Sequence, residues 1–266
     1  MELTQIIILA LVQGLTEYLP VSSSAHLILA SPLFGFADQG LAFDVALHFG
    51  SLGAIVLYFR NDIGRITLDW LRSLPKGGPR TANSWMAWCI ILGTIPIVIA
   101  GLIFKALVEN ELRSPLVIAW ATILFGLLLW WADFSGKRRR GLNDIHLKDA
   151  FIIGLMQCLA IIPGVSRSGI TMTAGLMLGL SRQAAARFSF LLAIPTILMS
   201  SVLVTWGLMR ASEPVDWQPI LWGVLLSFIT AYACIHLFLR FIERIGMLPF
   251  AIYRLLLGGA ILAVLW

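Results

Sequence analysis

Six apolar runs recur along this chain, each close to the roughly 20 residues that carry a helix across the hydrocarbon of a bilayer. They fall near residues 43–58, 85–104, 116–131, 188–208, 220–239 and 248–266. No single soluble core can absorb so much apolar length. Of the 266 residues, 59% are hydrophobic and 12% charged, and mean hydropathy is +0.90; a water-facing surface needs far more charge. A spanning segment must satisfy its own backbone inside lipid, which helices do and lone strands do not. The sequence therefore predicts an all-α integral membrane protein.

The start of the chain, MELTQIIILALVQG, has Glu2 where a signal peptide would carry basic charge, and its apolar run leads directly into a polar string. It is expected to be part of the folded protein. Cys89, Cys158 and Cys234 lie in apolar segments, odd in number and without metal-ligand spacing, and read as packing residues. The net charge of +5 does not indicate nucleic acid, because the basic residues, Lys137 to Arg140 included, concentrate in short connections between spans.

Those connections give an orientation. Arg60, Arg65, Arg72, Lys76 and Arg80 follow the first span, and Lys137, Arg138, Arg139, Arg140 and Lys148 follow the third. Both connections read as cytoplasmic. The intervening loops, with Glu109, Glu111 and Arg113, and with Arg210, Glu213 and Asp216, are poor in Lys and Arg; Arg240 and Arg244 restore the basic bias before the last span. The alternation holds only if residues 3–34 and 150–180 dip into the membrane and return, since a crossing by either would reverse every later assignment. Two re-entrant hairpins, each followed by three spans, make two halves of opposite topology, approximately 1–135 and 145–266, in one membrane domain. Both termini are then external. At an offset of 144 (157 minus 13), Gln13, Leu15, Val21, Ser22 and Ser24 coincide with Gln157, Leu159, Val165, Ser166 and Ser168. A weaker echo pairs Gly93-Thr94-Ile95-Pro96 with Gly246-Met247-Leu248-Pro249.

The hairpins carry two polar strings, QGLTEYLPVSSSAH at 13–26 and QCLAIIPGVSRSG at 157–169. Ionisable groups at bilayer depth are costly and usually mark a site. Pro20, or Pro163 with Gly164, is expected to end a first half-helix, and the serines to cap a second. The free N–H groups and positive dipole of such an N-terminus attract anions. Arg167 adds a fork of donors suited to phosphate oxygens, and Gly169 permits close backbone approach. Glu17 suits a divalent cation or the orientation of His26, His26 suits proton transfer or covalent capture of a phosphoryl group, and Ser23 suits nucleophilic attack or phosphate contact. These are the parts of a phosphoryl-transfer site.

The same strings resemble those of the undecaprenyl pyrophosphate phosphatases, also called bacitracin-resistance proteins. That family's pattern is approximately [E/Q]GLTE[FY]LP[IV]SS[ST][AG]H followed by PGxSRSG, and this chain matches both at 13–26 and 163–169. Further similarity lies in FDVALHFGS at 43–51, FSFLLAIP at 188–195 and PFAIYR at 249–254. The resemblance implies a multi-pass enzyme of the bacterial inner membrane that removes the terminal phosphate of undecaprenyl diphosphate. It would thereby recycle the lipid carrier for peptidoglycan precursors and confer bacitracin resistance. It further implies a divalent cation, Mg2+ or Ca2+, and leaves oligomeric state open, a homodimer among the options. Carried over by position, Glu17, Ser23, His26 and Arg167 fall in the catalytic centre, with Ser22, Ser24 and Ser166 at the phosphates; Ser168, Gly169 and Arg254 are further phosphate-binding candidates of the residue reading. Many members have glutamate where this chain has Gln13; an amide supplies an oxygen ligand but no charge, so Glu17 carries the acidic role and Gln13 supports the cation.

Each group also has a purely structural reading. His26 alone is first a capping or hydrogen-bonded histidine, Ser22 to Ser24 a turn and cap, Arg167 an anchor for the hairpin. Asp44 and His48, four apart on one helical face, could extend a metal site but read first as a structural hydrogen-bonded pair. Arg182 and Arg187 read as snorkelling residues at the cytoplasmic end, whereas Arg254, deep in the last span, needs a buried partner. Trp85, Trp131, Trp217 and Trp266 fit an interfacial belt. Two other functions compete. Opposed hairpins also suit a polyprenyl-lipid flippase or anion-coupled transporter, and a non-catalytic membrane subunit would need none of the reactive groups.

Overall fold

The structure, a computed structural model, describes residues 2–27, 35–36, 40–104, 112, 114–211 and 217–265. Residues 28–34 of the first expected hairpin, with Glu109, Glu111, Arg113, Glu213, Asp216 and Trp266, lie outside them. Among the described residues ten helices of eleven residues or more run in the order α1 (Leu3–Thr16), α2 (Gly40–Tyr58), α3 (Arg60–Ser73), α4 (Ala82–Ile103), α5 (Pro115–Ser135), α6 (Leu147–Gln157), α7 (Arg167–Met177), α8 (Arg182–Ala211), α9 (Trp217–Ile245) and α10 (Leu248–Leu265). Among the described residues the only β contact is an isolated bridge between Arg140 and Leu180.

Helices α4, α5, α8, α9 and α10 are long and apolar enough to cross a membrane, and α2 with α3 adds a sixth candidate bent by 75°. The bend corrects one expectation, since part of the basic connection after the first span is helix rather than loop. Helix α3 has no fully buried residue and carries Asp62, Arg65, Asp69 and Arg72. Likewise Arg240 and Arg244 lie inside α9, which runs well past residue 239.

Local chemistry sets the helix starts. Ser114 caps α5 by accepting from the Val117 amide at 3.3 Å, with Pro115 at the first position, where its missing N–H is not needed. Thr81 and Ser84 form a reciprocal capping box at α4. Large apolar side chains face outward, Leu102 at 63% and Leu256 at 69% exposed, while alanine and glycine fill the contacts between helices, the pattern that lets backbones approach where lipid replaces water.

Short α1 packs on α9, and short α6 on α4. A Cβ on Gly14 would stand 2.7 Å from Thr230 Cβ and 2.8 Å from the Ser227 carbonyl of α9. Gly154 meets the backbone of Gly93 in the same close manner. Beneath them Tyr18 packs edge-on against Phe190 at 5.3 Å between centroids, and its hydroxyl donates to the Ser51 carbonyl at 2.7 Å.

One end of the bundle is tied by charge. Arg182 donates from Nε and Nη2 to Asp133 at 2.6 and 2.9 Å, and the Met247 amide joins the same carboxylate at 3.1 Å. Arg182 is therefore a buried-carboxylate partner rather than a snorkelling residue. Arg187 pairs with Asp62 at 2.6 Å and lies 5.5 Å over the Phe59 ring, and Arg140 is bonded to Asp149.

Candidate active site

Both polar strings form a tight elbow. Helix α1 ends at Thr16, a turn follows through residue 21, and residues 23–27 resume a helix. Helix α6 ends at Gln157, a 3-10 turn follows (Cys158–Ile161), and α7 starts at Arg167. The first limbs thus stop before Pro20 and Pro163 rather than at them. Positions matched by the offset of 144 share their local geometry. Ser22 and Ser166 both have φ of 73°, a left-handed conformation rarely adopted by a side chain other than Gly or Asn. Ser22 and Ser24 share a hydrogen bond at 3.3 Å, as do Ser166 and Ser168 at 3.2 Å. Gln13 and Gln157 are both fully buried, each with an Oε1 that has no hydrogen-bond partner. The weaker echo has no such basis, since Gly93 to Pro96 sit within α4 whereas Gly246 is the left-handed residue, φ 72°, between α9 and α10.

The elbows meet. Ser168 donates to the Leu19 carbonyl at 2.8 Å, and Arg167 reaches Glu17 Oε1 at 3.3 Å from Nη2. Its other terminal nitrogen donates to the Ser189 carbonyl of α8 at 3.3 Å, and the Ser189 and Thr171 hydroxyls share a hydrogen bond at 2.7 Å. The buried Glu17 carboxylate is the centre of the cluster. Its Oε2 accepts from the Ser23 hydroxyl at 2.7 Å and from Gln13 Nε2 at 3.1 Å, and lies 3.7 Å from His48 Nε2.

His26 stands apart from that carboxylate and is held by other partners. Its Nδ1 donates to the Ser22 carbonyl at 2.7 Å, and its Nε2 is 2.5 Å from the Tyr253 hydroxyl of α10. A carbonyl can only accept, so Nδ1 carries the proton of the neutral ring and Nε2 accepts from Tyr253. One expectation is corrected here. The histidine beside Glu17 is His48, whose Nδ1 donates to the Asp44 main-chain carbonyl at 2.8 Å, not His26. The sequence signal for His48 was its spacing from Asp44, read as a structural pair; for Tyr253 it was adjacency to Arg254, which drew attention instead.

Arg254 is held inside the protein by main-chain partners. Its guanidinium, expected at the phosphates, is 0% exposed and spends its donors on main-chain carbonyls: Thr122 at 3.0 Å, Pro20 at 3.3 Å, Ala121 at 3.4 Å and Gly164 at 2.8 Å. It clamps one carbonyl from each elbow to α5. Gly169 lies close beside it, where a Cβ would stand 2.9 Å from Arg254 Nη1, and its amide is taken by the Ser166 hydroxyl at 3.1 Å. The buried Ser22, Ser166 and Ser168 hydroxyls are likewise engaged within and between the elbows, whereas Ser23 is half-buried and Ser24 exposed. The amides of Arg167 and Ser168, first in α7, have no carbonyl one turn back within the helix. Of the elbow side chains, Ser23, Ser24, Arg167 and His26 keep some exposure.

Membrane-length helices around two joined, charge-bearing elbows define a multi-pass helical membrane protein with a polar site built from both halves of its sequence. The family model for bacitracin resistance protein BacA matches residues 6–260, and the chain belongs to that family. It is 58% identical over 267 residues to undecaprenyl-diphosphatase 2 of Stutzerimonas stutzeri, covering 99% of this chain and 98% of the relative. It is 56% identical to the undecaprenyl-diphosphatase of Alteromonas mediterranea, with 98% of each covered, and 54% identical to that of Nitrosococcus oceani, with 97% of each covered.

Proposed function

We propose that the chain is a membrane phosphatase that hydrolyses undecaprenyl diphosphate to undecaprenyl phosphate and inorganic phosphate at the joined elbows. The observation that carries this reading is the Glu17 carboxylate, bonded at once to Ser23 of its own elbow and Arg167 of the other. Transport alone requires an anion cradle but not a hydroxyl aimed at a carboxylate. In this reading Arg167, Ser24 and the first amides of α7 hold the terminal phosphate. When a phosphate oxygen draws Arg167 away, Glu17 becomes free to take the Ser23 proton. The Ser23 oxygen bonds to the terminal phosphorus as the bridging P–O bond breaks, and the electron pair leaves on the lipid phosphate. Water then displaces the serine oxygen, which takes back the proton held by Glu17, while the proton of the attacking water passes to Nε2 of His26, three residues from Ser23 on one helical face, as the Tyr253 hydroxyl turns away from that nitrogen.

A divalent cation fits this chemistry as a ligand shared between protein and substrate. Among the described residues no cluster of three or more His, Cys, Asp or Glu side chains makes a cage, but Glu17 and the unpartnered Oε1 of Gln13 are hard oxygen donors in contact with one another's residues. Hard cations are commonly held by one or two carboxylates with substrate phosphates completing the shell. When bound, the ion neutralises diphosphate charge.

The topology belongs to the same proposal: halves 1–135 and 145–266 related by inversion, termini external, in the bacterial inner membrane. Purified protein in detergent is expected to release phosphate from undecaprenyl diphosphate with no gradient present. Arg167→Lys is expected to lose most of that activity, because a point charge does not reproduce the planar fork. Wild-type turnover by Arg167→Lys removes Arg167 from the phosphate site, and lipid translocation without phosphate release would favour the transport reading.

A further inference from the structure

A basic groove lies away from the elbows, at the end of the bundle that holds the ion pairs of Arg182 and Arg187. Its volume is about 320 Å3, and its walls are Tyr58 at the end of α2, Gln183 and Arg187 near the start of α8, and His236, Leu239 and Arg240 of α9. No carboxylate lines it. Arg187 gives only Nη2 to an acid, Asp62 at 2.6 Å, and no acceptor meets Nη1 among the described residues. Arg240 rests 5.5 Å over the ring of Phe241 and makes no ion pair among the described residues. Glu243, almost one turn further along α9, is turned to α8 and accepts the Gln183 amide at 2.8 Å. His236 and Arg240 are four apart and so share a face of α9, and both are exposed.

The groove is separate from the catalytic cluster. Arg187 lies over Phe59, Phe59 packs on Phe190 at 6.5 Å between centroids, and Phe190 packs on Tyr18, the neighbour of Glu17. All three rings are buried, at 2% exposure or less, so an aromatic layer divides the two polar regions. On its outer side the groove borders apolar surface: Leu57 and Leu237, next in sequence to Tyr58 and His236, are 42% and 52% exposed. A ligand seated here meets arginines at one end and hydrocarbon-like surface along its flank.

We propose that this groove binds the phosphate of an anionic membrane lipid, held between Arg187 and Arg240 with the acyl chains lying along α2 and α9. Arginine forks match phosphate oxygens, and basic pockets between spanning helices take lipid head groups. A free phosphate ion would gain nothing from the exposed Leu57 and Leu237, which is the reason to assign a lipid. The site is independent of the hydrolytic reading; only the leaflet it serves follows from the orientation proposed above.

The test uses the full-length protein in detergent, with bound lipid counted by native mass spectrometry. Wild type is expected to retain one phosphatidylglycerol molecule and to bind it about tenfold or more tightly than phosphatidylcholine, whose choline cancels the phosphate charge. An arginine near a lipid phosphate contributes about fivefold, so Arg240→Gln is expected to weaken phosphatidylglycerol binding about fivefold and the double variant Arg187→Gln/Arg240→Gln about 25-fold. Lys76→Gln, outside the groove, should change nothing, and millimolar inorganic phosphate should leave the lipid in place. Equal binding of the two lipids, or phosphatidylglycerol binding undiminished in Arg240→Gln, overturns the site. Displacement by inorganic phosphate overturns its assignment to a lipid. Because Arg187 also ties α8 to Asp62, helix content by circular dichroism and the unfolding midpoint check each variant, and Arg240→Gln, at an exposed position, decides the matter if the double variant is unstable.

Discussion

Two adjacent residues of α10, Tyr253 and Arg254, show how neighbours in sequence take different work. The Arg254 guanidinium spends its charge on four carbonyls, two of them from the elbows. Replacing it by Met leaves those buried acceptors unpaired, and the cost is expected to be on the order of 3 kcal/mol. Unfolding in detergent would show this as a lower midpoint, with KM of the surviving folded protein nearly unchanged; a raised KM at unchanged stability would return Arg254 to the phosphates. Tyr253 instead supports His26 through one hydrogen bond. Tyr253→Phe removes about 1 kcal/mol of orientation, so kcat is expected to fall about fivefold, against a loss of about 100-fold or more when His26, as a proton acceptor, becomes Ala. Steady-state phosphate release separates the two.

At the scale of elements, the short helices matter because they place Glu17 and Arg167. Helix α1 has fourteen residues, too few to span a bilayer of ordinary thickness, and its position depends on contact with α9 at Gly14. Gly14→Val would drive methyl groups into the Ser227 carbonyl and Thr230, and overpacking of this kind costs about 1–3 kcal/mol. Because the displaced element carries Glu17, the variant is expected to lose activity more steeply than stability, measured as phosphate release beside the unfolding midpoint. A fully active variant would show that α1 tolerates displacement and that the elbow is fixed from elsewhere. The left-handed serines, Ser22 and Ser166, are element-scale devices too. Each redirects the chain within one residue, at a cost of about 1–3 kcal/mol, so that a limb can end and a new helix begin facing the opposite elbow.

For the whole molecule, the arrangement of charge makes a prediction about sides. The loop at 137–140, packed through Arg140 against Asp149, is expected in the cytoplasm, and the N-terminus outside. In a background without native cysteines, a membrane-impermeant maleimide should label Glu2→Cys in intact cells and Arg138→Cys only after permeabilisation. The reverse pattern inverts the orientation, and labelling of both from one side breaks the proposed re-entrant topology.

Much of this was legible in residue order. Apolar length in a chain with little charge leaves helices as the spanning element, because lipid offers nothing to bond an open backbone. The spacing of the V-S-x-S matches marked two equivalent elbows, and a carboxylate, serines and an arginine among apolar residues marked the polar cluster where the elbows meet. Residue order did not show how the long-range donors are spent. Whether an arginine meets phosphate or four carbonyls, and whether His26 or His48 stands beside Glu17, depends on which elements pack together, and Arg254 joins positions separated by up to 234 residues. Composition and period act locally and so are written in the sequence. The pairing of buried polar groups is a global solution, reached only when every donor at the meeting point has found its acceptor.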